Sequence, residues 1–299
     1  MNWILVTVFG AFFQNLRSSL QKKLNKDIST IASTYVRFAF ALPFAGILFF
    51  IFFRDVEIIN TILIQPGFLF NIFLASIFQI IFTFFLLYLF NFSNFVVGTS
   101  LSKTEVIQVA LFEYLILNEK LNKFGISGII ISTLGVILLS VKDLKLFFNN
   151  LFSKTTIIGL ISGLFLALSV VYFRAAILTL ENISSNFGKA ISALFIGLFI
   201  QTIILTIYLI FFEKSEFKKL YHDKYECLVT GIAGLLASLS WFYAFTLIQS
   251  SFVRAVGQVE LLFSYFSSRY MFKEKVKITE IVGIIIFVIG VTILLMSRT

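Results

Sequence analysis

Two carboxylates, Glu105 and Glu260, stand inside long apolar runs, where an ionised side chain costs about 2.5–3.5 kcal/mol on insertion scales and so requires a reason. Ser102, Glu105 and Gln108 recur at helical spacing and form one polar stripe; Glu260 shares a comparable stripe with Gly257, Ser264 and Ser267. Carboxylates so placed can bind a cationic group or carry a coupling proton, and that is the expected role of Glu105 and Glu260. A structural ion pair locking helices together is the plainer alternative. Lys103 is two residues from Glu105, about 200° around a helix, so on a continuous helix the two cannot share a face. It either points into a cavity beside the first or second span or snorkels.

Cations add to this set. Arg17 and Arg37 lie in the inner halves of the first two spans, and Arg174 and Lys189 in the outer halves of the sixth and seventh. Arg37, with Ser33 and Thr34 one turn back, is the preferred anchor for a carboxylate or phosphate. Arg17 and Lys189 are further candidates, while Arg174, close to a helix end, is expected to reach the headgroups. Arg17, Arg37, Lys103, Arg174 and Lys189 outnumber Glu105 and Glu260, which favours a substrate bearing an anionic group. Trp241 and Tyr243, with Ser238 and Ser240, form a candidate pocket wall. Gln14, Asn15, Gln79 and Thr83 can supply hydrogen bonds in the cavity or bond helix to helix. Glu119 and Glu274 fall at helix ends, each followed by a lysine; they are candidate gate residues, with capping and solvation as the plainer role.

The elements that must position these residues are membrane helices. The chain of 299 residues is 59% hydrophobic and 13% charged, a balance that makes lipid its solvent. Its net charge of +9 is dispersed among short loops, with no basic patch or arm for nucleic acid. The apolar run opens at Trp3 with no basic residue before it, so the first helix is expected to be retained and not cleaved as a signal. About 20 apolar residues cross a ~30 Å hydrocarbon layer. That ruler gives ten spans, near 3–21, 31–53, 68–90, 95–117, 123–141, 156–178, 187–212, 227–248, 252–272 and 278–296.

The segment Glu105–Leu139 returns 155 positions later as Glu260–Leu294, pairing Glu119 with Glu274, Lys120 with Lys275, Gly128 with Gly283 and Gly135 with Gly290. The charged stretch 142–155 divides the chain into halves, 1–141 and 156–299, of five spans each. Five is odd, so the second half enters the membrane from the opposite side, an inverted repeat of the kind common in secondary transporters. The spaced glycines are packing contacts between spans or protomers. Most loop lysines fall on the face opposite the termini, which places that face in the cytoplasm and both termini outside.

The pattern resembles the drug/metabolite transporter superfamily, in its ten-helix EamA-type branch. The resemblance rests on ILNEKLNKFGISGIIISTLGVILL and MFKEKVKITEIVGIIIFVIGVTILL, in which a glutamate at the end of each half's fourth span runs into a Gly-spaced fifth. Members often carry Leu-Gly-Glu at the first of these sites and a proline after the position of Glu105. Here Asn118 and Lys273 precede the glutamates, and Val106 and Leu261 replace the proline. The resemblance implies a transporter of amino acids, sugars, nucleotide sugars, drugs or polyamines in a bacterial inner membrane, as a monomer or homodimer.

The expected function is secondary active transport, export or exchange, of a small metabolite such as an amino acid or organic acid by alternating access, with no cofactor. The alternatives are a cationic-drug exporter and a non-transporting sensor or assembly subunit. No GxxxxGK[ST] motif supplies ATP, and His222 has no metal-ligand partners in sequence, so neither a pump nor an enzyme is expected.

Overall fold

The structure, a computed structural model, describes residues 2–92, 95–141, 144–263, 265 and 278–297. Fifteen helices are named in order: α1 (Asn2–Leu24), α2 (Thr30–Ala39), α3 (Leu42–Phe52), α4 (Val56–Ile64), α5 (Phe68–Leu89), α6 (Phe95–Ser102), α7 (Glu105–Leu117), α8 (Lys123–Ser140), α9 (Leu144–Asn149), α10 (Lys154–Thr179), α11 (Asn186–Phe212), α12 (Glu216–His222), α13 (Lys224–Leu247), α14 (Ser250–Gly257) and α15 (Ile278–Met296). No strand occurs among the described residues.

Among the described residues, seven helical segments are long and apolar enough to cross a membrane. Across the helices the outward faces are apolar: Phe211, Phe212, Leu5 and Ile64 are exposed, while Thr7, Arg17, Ser33, Ser76, Gln201 and Glu105 are buried. Such an inside-out distribution is stable only where lipid replaces water. Polar caps end several helices. Ser29, Asn122, Ser153 and Ser185 accept hydrogen bonds from the third residue ahead, satisfying backbone donors that the first helical turn leaves unpaired.

Three expected spans are broken. The run 31–53 divides into α2 and α3, because Pro43 in the first turn of α3 has no N–H to donate back into α2. The run 95–117 divides at Lys103 and Thr104, where no proline or glycine marks the place. Instead Ser102 Oγ donates to Thr99 O at 2.8 Å and Thr104 Oγ1 to Leu101 O at 2.7 Å. Hydroxyls that bond carbonyls of the preceding turn compete with the helix ladder and bend it. A third break follows Gly257, after which the helix resumes at Glu260. The breaks at 103–104 and 258–259 are 155 residues apart, the same offset as the sequence repeat. The expected connecting segments are also less irregular than their composition suggests, since 142–155 contains α9 and the loop after α11 contains α12.

The glycine seam fixes one side of the bundle. A Cβ on Gly128 would lie 2.6 Å from Leu294 N and 2.8 Å from Gly290 O, and one on Gly283 would lie 2.6 Å from Leu139 N. Only glycine lets the α8 and α15 backbones touch, and in lipid, where apolar burial gives no drive to associate, close contact is what holds helices together. Elsewhere α5 packs along α10 and α1 along α13, while α6 and α7 lie on α10 and α14 lies on α1.

Candidate functional site

Where the two breaks meet, the chain gathers its buried charges. Glu105 opens α7, where the helix dipole favours a carboxylate, and Glu260 opens the segment after α14 in the same way. Each carboxylate is held by a cation from the other half of the chain. Arg254 on α14 donates its Nε (3.2 Å) and Nη2 to Glu105 Oε1, with Gln258 Nε2 at 3.4 Å. Lys103 Nζ and Gln14 Nε2 both donate to Glu260. The Arg254 guanidinium also lies 4.8 Å from the centre of the Trp241 ring, a cation–π contact.

These groups border a cavity of about 230 Å³, lined by Gln14, Asn15, Arg17, Lys103, Glu105, Arg254 and Glu260 among others. It runs between α1, α5, α10 and the two breaks toward Ser19 and Lys22, which are exposed at the carboxyl end of α1. At the opposite end of the bundle the carboxyl ends of α7, α10 and α13 meet the start of α14, and a second charge cluster closes the structure. Arg174 Nε donates to Glu119 Oε2 at 2.9 Å and its Nη2 to Glu119 Oε1 at 2.5 Å; its Nη1 reaches the carbonyls of Phe245 and Ile248. Glu113 Oε1 lies 3.6 Å from Arg174 and accepts from Ser250 N at 2.5 Å, while Glu113 Oε2 accepts from Ser251 N at 3.0 Å. Glu113 thereby caps α14.

The outcome differs by residue. Gln14, Arg17, Lys103, Glu105 and Glu260 come together around one cavity. Lys103 and Glu105 share it because the helix breaks between them, so the 200° separation on a continuous helix does not apply. Arg37 is not among the lining residues; its Nη1 donates to Thr83 Oγ1 at 2.8 Å, behind the cavity wall. Lys189 is in the first turn of α11, also outside the lining. Trp241 backs Arg254 and fills the space beside Gly257, and Tyr243 faces a separate groove with Leu5, Phe9 and Phe187. Arg174 does not reach toward headgroups, because Glu113, Glu119 and two carbonyls satisfy it inside the bundle. Glu119 pairs with Arg174 and not with the adjacent Lys120. Glu274, Ser264 and Ser267 lie outside the described residues.

Arg254 and Glu113 do not feature among the expected site residues. Arg254 is two residues into the expected span 252–272, where a cation reads as a helix end. Glu113 is two turns beyond Glu105 on the same polar stripe, and that spacing is the signal that could have found it.

A family profile described as the EamA-like transporter family matches residues 1–141 and again 153–296. The chain belongs to the EamA-like transporter family. This agrees with the resemblance carried by the Glu-Lys and glycine repeats, and it makes the chain an integral, multi-pass membrane protein of a transporter family. A solved crystal structure of another protein has the same fold, at a TM-score of 0.72 and 13% identity, over 99% of this chain and 98% of that one. No curated protein matches this chain.

Proposed function

We propose that this EamA-like protein is a secondary active transporter of a small metabolite, such as an amino acid or organic acid, working by alternating access between two inverted five-helix halves, residues 1–141 and 156–299. The observation that carries it is the convergence of two helix breaks, 155 residues apart, on one charged cavity. Broken helices at corresponding positions of two halves are where transporters place their sites. The reciprocal packing of α5 on α10 and α1 on α13 supports the paired halves, and the seven apolar helices together with the expected spans 3–21, 95–117 and 252–272 make ten. The cavity opens at the lysine-rich end, which on the charge rule faces the cytoplasm, with both termini outside. Arg174 and Glu119 close the other end as a gate. Glu105 and Glu260 are the coupling residues: protonation of either carboxylate releases Arg254 or Lys103.

A cationic-drug exporter fits less well, because both carboxylates already hold cations. Uptake into proteoliposomes of labelled small acids, amino acids and amines under an imposed pH gradient tests the proposal. Wild type is expected to accumulate one class, with at least a tenfold loss in Glu105→Gln and Glu260→Gln. Uptake equal to empty vesicles for every class, or undiminished in both variants, contradicts it.

A further inference from the structure

Around the cavity the charges do not cancel. Arg254 is taken by Glu105 and Lys103 by Glu260, and Lys22 stands at the exposed mouth. That leaves Arg17. It is 2% exposed, its Nε and Nη1 have no hydrogen-bond partner, and its Nη2 has only Ser18 Oγ at 3.3 Å. The Arg37 side chain passes close to it, since a Cβ placed on Gly234 would lie 3.5 Å from Arg17 Cδ and 3.7 Å from Arg37 Cγ. A buried cation with no carboxylate in contact costs several kcal/mol, and inside a membrane such a group marks a functional site by default. On the acceptor side, Glu105 Oε2 is buried and has no partner either.

We infer that Arg17, not Arg37, anchors the substrate, and that the substrate is a small hydroxy acid whose carboxylate meets the Arg17 guanidinium while its hydroxyl donates to the Glu105 carboxylate. This rests on the transport reading above and deepens it. A monoanion offsets the positive charge that the lining carries in excess, and Arg17 is the buried part of that excess. A zwitterionic amino acid adds an ammonium where both carboxylates are already paired, and a free amine adds charge of the wrong sign. Space sets the size: at ~30 Å³ per water, a cavity of about 230 Å³ holds about eight waters, so the ligand has roughly ten non-hydrogen atoms or fewer.

Thermal unfolding of the full-length protein in detergent, with glycolate or lactate, propionate, alanine, ethanolamine and inorganic phosphate as probes, tests this independently of transport. The hydroxy acids are expected to raise the melting temperature most, since a ligand that binds only the folded state stabilises it. Arg17→Gln is expected to abolish that shift while melting at or above the wild-type temperature, because it removes an uncompensated buried charge. Arg37→Gln keeps the shift, and Arg17→Lys keeps it at reduced affinity. A larger shift with alanine, ethanolamine or phosphate, no shift with any probe, or a hydroxy-acid shift that survives Arg17→Gln overturns the inference. Where Arg17→Gln does not fold, the inference is overturned too, since the guanidinium then serves the apo structure. A failed shift alongside proton-coupled uptake of another class would leave the transport reading standing, so the two failures are separable.

Discussion

Glu105 and Arg254 show why intramembrane charges must be counted in pairs. Each is buried, they belong to different halves of the chain, and neither is tolerable alone. Removing one partner of a buried pair strands the other, at a cost of about 3 kcal/mol, while removing both is far cheaper. Glu105→Gln and Arg254→Gln are each expected to lower the melting temperature by several degrees, and the double variant by less than the sum of the two. Additive losses in that cycle would mean that the pair is not coupled. The carboxylate was legible in the sequence because it sits near mid-span. Arg254 was not, because its cost depends on depth, and depth depends on a helix break that leaves no proline in the sequence.

At the scale of elements, the seam between α8 and α15 was the most legible feature and the broken helices the least. Spaced glycines announce a backbone contact, and Gly128, Gly135, Gly283 and Gly290 make it. The seam leaves no room for a side chain, so Gly128→Leu must push α15 away. Overpacking of this kind costs about 1–3 kcal/mol. The variant is expected to melt several degrees lower in detergent, whereas Gly67→Leu, where a Cβ meets only side-chain atoms 3.7 Å away but the backbone has φ +79°, loses stability through strain alone. A Gly128→Leu protein as stable as wild type would remove the seam from the packing. The division of 31–53 follows from Pro43, which is visible in the sequence. The division at Lys103 and Thr104 arises from hydroxyl-to-carbonyl bonds that composition does not reveal, and without it Lys103 would face away from Glu105.

Across the whole molecule, one end of the bundle is sealed by Arg174 with Glu113 and Glu119, and the other is reached through the cavity beside Arg17 and Lys22. Membrane class and family were readable from apolar runs and the repeated Glu-Lys and glycine positions, since both are local patterns. Which charges face one another was not, because the pairs join residues 149 and 157 positions apart. An alternating cavity requires the seal to be a contact that breaks, not a permanent lock. The most direct measurement is labelling of Asn15→Cys, in a Cys227→Ser background, by a membrane-impermeant thiol reagent applied separately to each face of the membrane. Asn15 lines the cavity, so labelling is expected chiefly from the lysine-rich face in the sealed protein. It is expected to rise at least several-fold from the opposite face when Glu119→Gln releases Arg174. Labelling confined to one face in both proteins would contradict alternating access about this cavity.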